Sequence, residues 1–290
     1  MLRTDPDPLP KQRHGGTTTS PGFAVALQPI EANLVTTDTE GLVAGEIVVP
    51  VGDFPMPAYR AMPVGAGRMP IVIVVSEIFG VHEHIADIAR RFAKLGYLAI
   101  APELFVRHGD AKAEKDIPTL FANIVLKAPH AQVLGDIDAC VAWAGSNGGD
   151  LSKLGITGFC WGGLITWLYC AHNATVKAGV AWYGRLTGVK SERQTSYPID
   201  EAAALKAPVL GLYGGIDAGI PLDTVEAMKQ ALAAGSDAAR QSGIVVYPAA
   251  NHAFFADYRP NYDAAAAADG WQRCLDWLRR HVVMRRRGGA

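Results

Sequence analysis

One segment concentrates residue types suited to nucleophilic chemistry: Leu154-Gly155-Ile156-Thr157-Gly158-Phe159-Cys160-Trp161-Gly162-Gly163-Leu164. A short aliphatic run leads into Gly-x-Cys-x-Gly-Gly and an apolar helical pattern follows at once. This is the strand–turn–helix setting of a nucleophile elbow, with Cys in place of Ser. The spacing has a steric reason. A nucleophile held at a strained backbone angle needs neighbours almost free of side chain, so that strand and helix can approach; Gly158 and Gly162 supply that space. A thiol at a helix N-terminus also meets a partial positive charge that favours thiolate. The plainer reading of the same residues is a buried structural cysteine in a glycine-rich turn.

A nucleophile of this kind expects an acid and then a histidine later in the chain. The strand pattern Pro208–Tyr213 runs into Gly214-Gly215-Ile216-Asp217, and Ile244–Tyr247 runs into Pro248-Ala249-Ala250-Asn251-His252. Alone, Asp217 reads as a turn former and His252 as a loop histidine. Together with Cys160 they are three reactive types, each just beyond a separate strand and in the right order. The combination points to a Cys160–His252–Asp217 triad in which the thiol attacks, the imidazole relays protons and the carboxylate orients the ring.

The elements that must hold these residues alternate between strand and helix, the pattern of a mostly parallel sheet covered by helices on both faces. Leu42–Val49 and Pro57–Met62 read as an early antiparallel pair, and Ile71–Ser76 as a strand buried on both faces. Glu83–Leu95 is helical with Gly96 as its stop, and Tyr97–Ala101 is a strand ending at Pro102. Ala111–Lys127 and Ala131–Ala144 are expected as two helical segments broken by Pro129. Leu154–Gly158 is the elbow strand, Leu164–Ala171 its helix, and Val176–Trp182 a strand followed by a long loop to about Pro198. Leu222–Ala234 and Asp263–His281 complete the helices. No repeat period and no internal linker appears, so residues 36–290 read as one domain behind a flexible leader over 1–35, which is rich in Pro, Gly and Thr.

Composition narrows the classes. With 27 Lys plus Arg against 28 Asp plus Glu, the net charge is −1, so no basic field recruits nucleic acid. The longest apolar runs fall far short of the roughly 20 residues of a membrane helix. Phe23–Leu27 is too short for a signal-peptide core, and a cytoplasmic location is expected. Four cysteines without CxxC spacing exclude a disulfide scaffold or zinc ribbon; Cys140, Cys170 and Cys274 fall in helical patterns and read as core residues. His82-Glu83-His84 lacks a third ligand at suitable spacing, so neither a metal nor another cofactor is expected. The terminal Arg285-Arg286-Arg287 reads as a solvated helix end.

From about Gly41 to the last helix, the chain resembles the dienelactone hydrolase family (carboxymethylenebutenolidases) of the α/β-hydrolase fold. The resemblance rests on Ser76-Glu77-Ile78-Phe79-Gly80-Val81, Ala101-Pro102-Glu103-Leu104-Phe105, the Cys160 elbow, Trp182-Tyr183-Gly184, Gly215-Ile216-Asp217 and His252-Ala253-Phe254. It implies hydrolysis of a small lactone or ester through an acyl-enzyme, by a monomer or homodimer. It also implies that Glu77 takes the thiol proton when substrate binds, that the N–H groups of Ile78 and Trp161 form the oxyanion hole, and that Phe79 and Tyr183 line the substrate site. The family's substrate carries a carboxylate, for which Arg is the natural partner. Arg107 matches one of the family's arginines; the second is expected four residues after the histidine, where Ala256 stands, and Arg259 is the substitute within reach. Two other readings stay open: an esterase or thioesterase of the same fold with another substrate, and a catalytically idle binding protein.

Overall fold

The runs of branched aliphatics become the central strands, because a strand covered on both faces has no position at which a polar side chain reaches water. The structure, a computed structural model, describes residues 34–114 and 116–284. The leader expected over 1–35, except for residues 34 and 35, and the terminal arginine run lie outside the described residues.

The strands are β1 (Leu42–Val51), β2 (Phe54–Pro63), β3 (Met69–Val75), β4 (Leu98–Pro102), β5 (Gly149–Phe159), β6 (Ala178–Trp182), β7 (Val209–Gly214) and β8 (Gly243–Tyr247). They form one eight-stranded sheet in the order β1-β2-β4-β3-β5-β6-β7-β8. The first two pair antiparallel, as expected, and β2 joins β4 antiparallel. Every remaining pair is parallel. The helices are α1 (Glu83–Lys94), α2 (Ile117–Asn123), α3 (His130–Ser146), α4 (Trp161–His172), α5 (Pro198–Glu201), α6 (Leu222–Ala233), α7 (Asp237–Gln241) and α8 (Ala264–Leu278).

They cover both faces of the sheet, and β5 shows how. A side chain added at Gly155 would strike Leu278 at the end of α8, whereas one added at Gly158 would strike Gly162 and Thr166 of α4. Three residues apart on a strand means opposite faces. Phe92 of α1 meets Trp271 of α8 at 4.9 Å between ring centroids, so those two helices share a face; α3 packs beside α4 on the other. This is the α/β-hydrolase architecture.

Three expectations need correction. The single helix expected over 111–127 is a 3₁₀ turn (Ala111–Ala113), α2 and a second 3₁₀ turn (Val125–Lys127). A cap explains the restart: Asp116 accepts from the Thr119 N–H, and Pro118 sits in the first turn, where its missing N–H costs nothing. The elbow strand begins at Gly149, not Leu154. The last helix passes at Arg279 into a wider π turn that runs to Val283.

Candidate active site

At the C-terminal ends of the parallel strands, the loops after β3, β5, β6, β7 and β8 converge on a cavity of about 580 Å³. Cys160 sits between β5 and α4 with φ 55° and ψ −114°. That backbone strain persists because the packing around it leaves no alternative. A Cβ at Gly158 would lie 2.2 Å from the Gly162 carbonyl oxygen, and one at Gly162 would lie 2.4 Å from that of Val75. Both glycines are therefore fixed by close backbone approach, as their spacing predicts. The other non-glycine residues with positive φ among the described residues are Tyr183 at 38° and Ala253 at 61°. All three stand at this cavity or next to a residue that lines it.

Asp217 follows β7 and His252 follows β8, and their side chains meet. His252 Nδ1–H donates to Asp217 Oδ2 at 2.7 Å, while Asp217 Oδ1 accepts from the Gly219 N–H at 2.9 Å. With Nδ1 committed to a carboxylate, Nε2 is the nitrogen left to exchange a proton with the thiol. Burial alone would lower the His252 pKa. The neighbouring Cys160 and the hydrogen bond and charge of Asp217 outweigh it and raise the value to about 10. Asn251 Oδ1 accepts from the His252 N–H at 2.7 Å, and the Asn261 amide donates to the His252 carbonyl at 3.1 Å, so the loop is held from both sides. Cys140, Cys170 and Cys274 are buried, and burial pushes each thiol far above its ordinary pKa; only half-buried Cys160 opens on the cavity.

Ile78 and Trp161 both line the cavity. Trp161 is the first residue of α4, so its N–H has no partner within the helix and is free to face an oxyanion. Phe79 and Tyr183 also line the wall, with the Tyr183 ring edge-on to His252 at 5.2 Å.

Glu77 lies just behind, 1% exposed, and its partners differ from those its expected role suggests. Oε2 accepts from the Tyr258 hydroxyl at 2.5 Å and lies 3.8 Å from His82 Nε2. Oε1 lies 4.0 Å from Arg259 Nη1 and has no hydrogen-bond partner. Burial would raise the Glu77 pKa; His82, the Arg259 charge and the Tyr258 hydroxyl together lower it to about 2. Among the described residues no hydrogen bond joins Glu77 to Cys160.

The two arginines separate. Arg259 reaches the cavity wall, carried there by Asp257-Tyr258-Arg259, whose Asp257 is tied to His84 at 2.9 Å and to Arg91 at 2.9 Å. Arg107 does not reach it. Its Nη2 binds Asp136 Oδ1 at 2.7 Å, and its guanidinium covers the Phe54 ring at 3.8 Å from the centroid. A buried carboxylate on α3 and an aromatic ring at the start of β2 hold it away from the cavity wall. The sequence reading missed Arg185, which follows Gly184 beyond β6, lines the cavity and is exposed. Its place in the loop after Trp182-Tyr183-Gly184, at the C-terminal end of a parallel strand, was the available signal.

Comparison with known proteins bears on the family and the fold. The model of the Dienelactone hydrolase family matches residues 56–282. A protein of Methylorubrum extorquens named "Putative carboxymethylenebutenolidase" is 55% identical over 269 residues, covering 92% of this chain and 91% of that protein. An Escherichia coli K12 protein of the same name is 55% identical over 266 residues, covering 91% and 97%. The crystal structure of a "Putative Dienelactone Hydrolase" from Klebsiella pneumoniae superposes with a TM-score of 0.80 at 58% identity, over 83% of this chain and 99% of that one. With a family model over most of the described chain, relatives of this identity and a superposing fold, the chain belongs to the dienelactone hydrolase family, whose members are carboxylic ester hydrolases.

Proposed function

We propose that the protein hydrolyses a small lactone or ester through a Cys160–His252–Asp217 triad and a thioester acyl-enzyme. The observation that carries this reading is the 2.7 Å bond between Asp217 and His252 beside a strained Cys160 in one cavity. The thiol proton passes to Glu77, released by substrate from one of its partners, as Sγ bonds to the carbonyl carbon; His252 enters the step as the imidazolium, and the carbonyl electron pair moves to oxygen between the Ile78 and Trp161 N–H groups. Collapse of that oxyanion breaks the C–O bond, and the imidazolium gives its proton to the departing alkoxide. In a lactone this alcohol stays tethered to the acyl group. Water, deprotonated by the same imidazole, then attacks the thioester and releases acid and thiol.

Glu77 sets the charge around this site. Anchored by Tyr258 and Arg259, it stands ready to receive a thiol proton when substrate displaces one of those partners. Arg259 and Arg185, which both line the cavity, supply positive charge for an acidic substrate, whereas Arg107 is engaged with Asp136. The four free cysteines suit a reducing compartment, which favours the cytoplasm. Among the described residues no helix is long and apolar enough to cross a membrane.

The test is trapping. Mass spectrometry after rapid acid quench with an activated ester should show one acyl adduct on Cys160. Cys160→Ala should lose both adduct and turnover, by at least about a thousandfold, while Cys140→Ala and Cys274→Ala retain them. An adduct elsewhere, or undiminished turnover in Cys160→Ala, overturns the reading.

A further inference from the structure

A five-membered lactone with one carboxylate substituent would leave most of this cavity to water. At about 580 Å³ the space falls in the range that encloses drug-sized ligands, about 300–1,000 Å³. Cys160, His252, Asp217 and Arg259 give one part of the lining its reactive and charged groups. Another stretch is mainly apolar, built by Ile117 and Phe121 of α2, Val125 and Leu126 of the following 3₁₀ turn, Leu164 of α4 and Ile220; the lining also includes His130, Tyr197 and Gln194, whose amide donates to the Leu126 and Ala128 carbonyls.

A second observation concerns exposure. Ile117 is 37% exposed and Leu126 49% exposed, although both belong to a segment that otherwise buries Leu120, Ile124 and Val125 in the core. The segment thus leaves two large aliphatic side chains partly in water on the face that closes over the cavity. Leaving them there forgoes the stabilisation that burial of each would bring, and such clusters at a cavity mouth mark surfaces that a ligand covers. Ile117 and Phe121 stand one turn apart on one face of α2, and the interruption at Ile124 lets Leu126, which a continuous helix would place on the opposite side, line the same cavity.

We propose that this wall is an apolar arm of the substrate site, and that the substrates are esters or lactones whose acyl part carries an aryl or similarly bulky apolar group lying against Ile117, Phe121 and Leu126. The proposal rests on the hydrolase reading above and narrows its substrate class from small polar lactones to larger amphiphilic ones. The carbonyl sits at Cys160, any acidic group near Arg185 or Arg259, and the apolar end under α2.

The experiment separates the arm from the chemistry. Calorimetric titration with 3-phenylpropanamide and with acetamide measures occupation of the arm without turnover. The aryl amide should bind about ten- to a hundredfold more tightly, the gain expected from burying a phenyl-sized group. The double variant I117E/L126E should cut that preference at least tenfold, because it places carboxylates on the arm. Val48→Glu, an equally exposed apolar position on β1, should leave the preference unchanged. In parallel, kcat/KM for methyl 3-phenylpropanoate over methyl acetate should show the same preference and the same loss. Equal binding of the two amides, or a preference that survives I117E/L126E, overturns the arm whatever the rates show. Turnover that persists in Cys160→Ala overturns the catalytic reading and leaves the binding preference standing.

Discussion

At the residue scale, the proton on His252 ties structure to rate. The imidazolium must protonate the leaving alkoxide, so the reaction fails once that proton is lost to bulk base. With the pKa raised to about 10 by Cys160 and Asp217 against burial, kcat/KM should hold through neutral pH and fall only as pH approaches 10. Asp217→Asn removes both the charge and the carboxylate acceptor. Its alkaline limb should move down towards the ordinary histidine value by at least about one unit, with kcat lowered by several orders of magnitude. A pH–rate profile of both proteins checks this; an unmoved limb would separate Asp217 from the imidazole. The triad was legible from sequence because each member sits beside a local signal, a glycine-flanked turn or a loop just past a strand. Tyr258 had no such signal: it matters because it meets a carboxylate 181 positions away in the chain, and no local pattern encodes that.

At the element scale, what matters is how loops are locked to strands. Gly162 can carry no side chain, since a Cβ would overlap the Val75 and Ser76 carbonyls at 2.4 and 2.6 Å. Neither belongs to a flexible side-chain end, so Gly162→Ala should push α4 off β3 and cost about 1–3 kcal/mol, read as a lower denaturation midpoint with a larger loss of kcat than of fold. The Glu77 cluster locks the loop after β3 to the loop carrying Arg259. Because the Glu77 pKa falls from 4.5 to about 2 on folding, its contribution to stability is present above pH 4.5 and is lost as pH falls towards 2. Wild type should exceed Glu77→Gln in stability by on the order of 3 kcal/mol at neutral pH, with the gap closing between pH 4.5 and 2. Urea titrations across that range measure it, and a gap independent of pH would show that the carboxylate is not ionised in the fold. The strands and most helices were readable because apolar periodicity reports burial. The break at Asp116 was not, because helical periodicity alone does not register where a cap restarts the helix.

At the scale of the whole molecule, Arg107, matched by family resemblance to a substrate-binding arginine, makes its contacts within the fold. It lies after β4, yet its contacts reach Asp136 on α3 and Phe54 in β2, so one side chain joins the antiparallel edge of the sheet to a helix on its face. Asp136 is 3% exposed at its side chain, and its remaining side-chain contacts are to Arg107 Nε at 3.5 Å and to Gln132 at 3.4 Å. Removing Arg107 therefore strands a buried carboxylate with weak support. Breaking such a pair typically costs about 3–5 kcal/mol, and the 22% exposure of the Arg107 side chain moves the expectation to the lower end, about 2–3 kcal/mol. Arg107→Ala should thus lower the melting temperature by several degrees and leave the ratio of kcat/KM between an acidic lactone and a neutral ester of equal size unchanged. Arg259→Ala should lower that ratio, because Arg259 lines the cavity. A double variant, Arg107→Met with Asp136→Leu, should recover most of the lost stability by replacing the pair with apolar groups, an outcome that a substrate-binding arginine would not give. If Arg107→Ala instead keeps its melting temperature and loses selectivity for the acidic lactone, the side chain leaves Asp136 during turnover and the family's assignment holds after all.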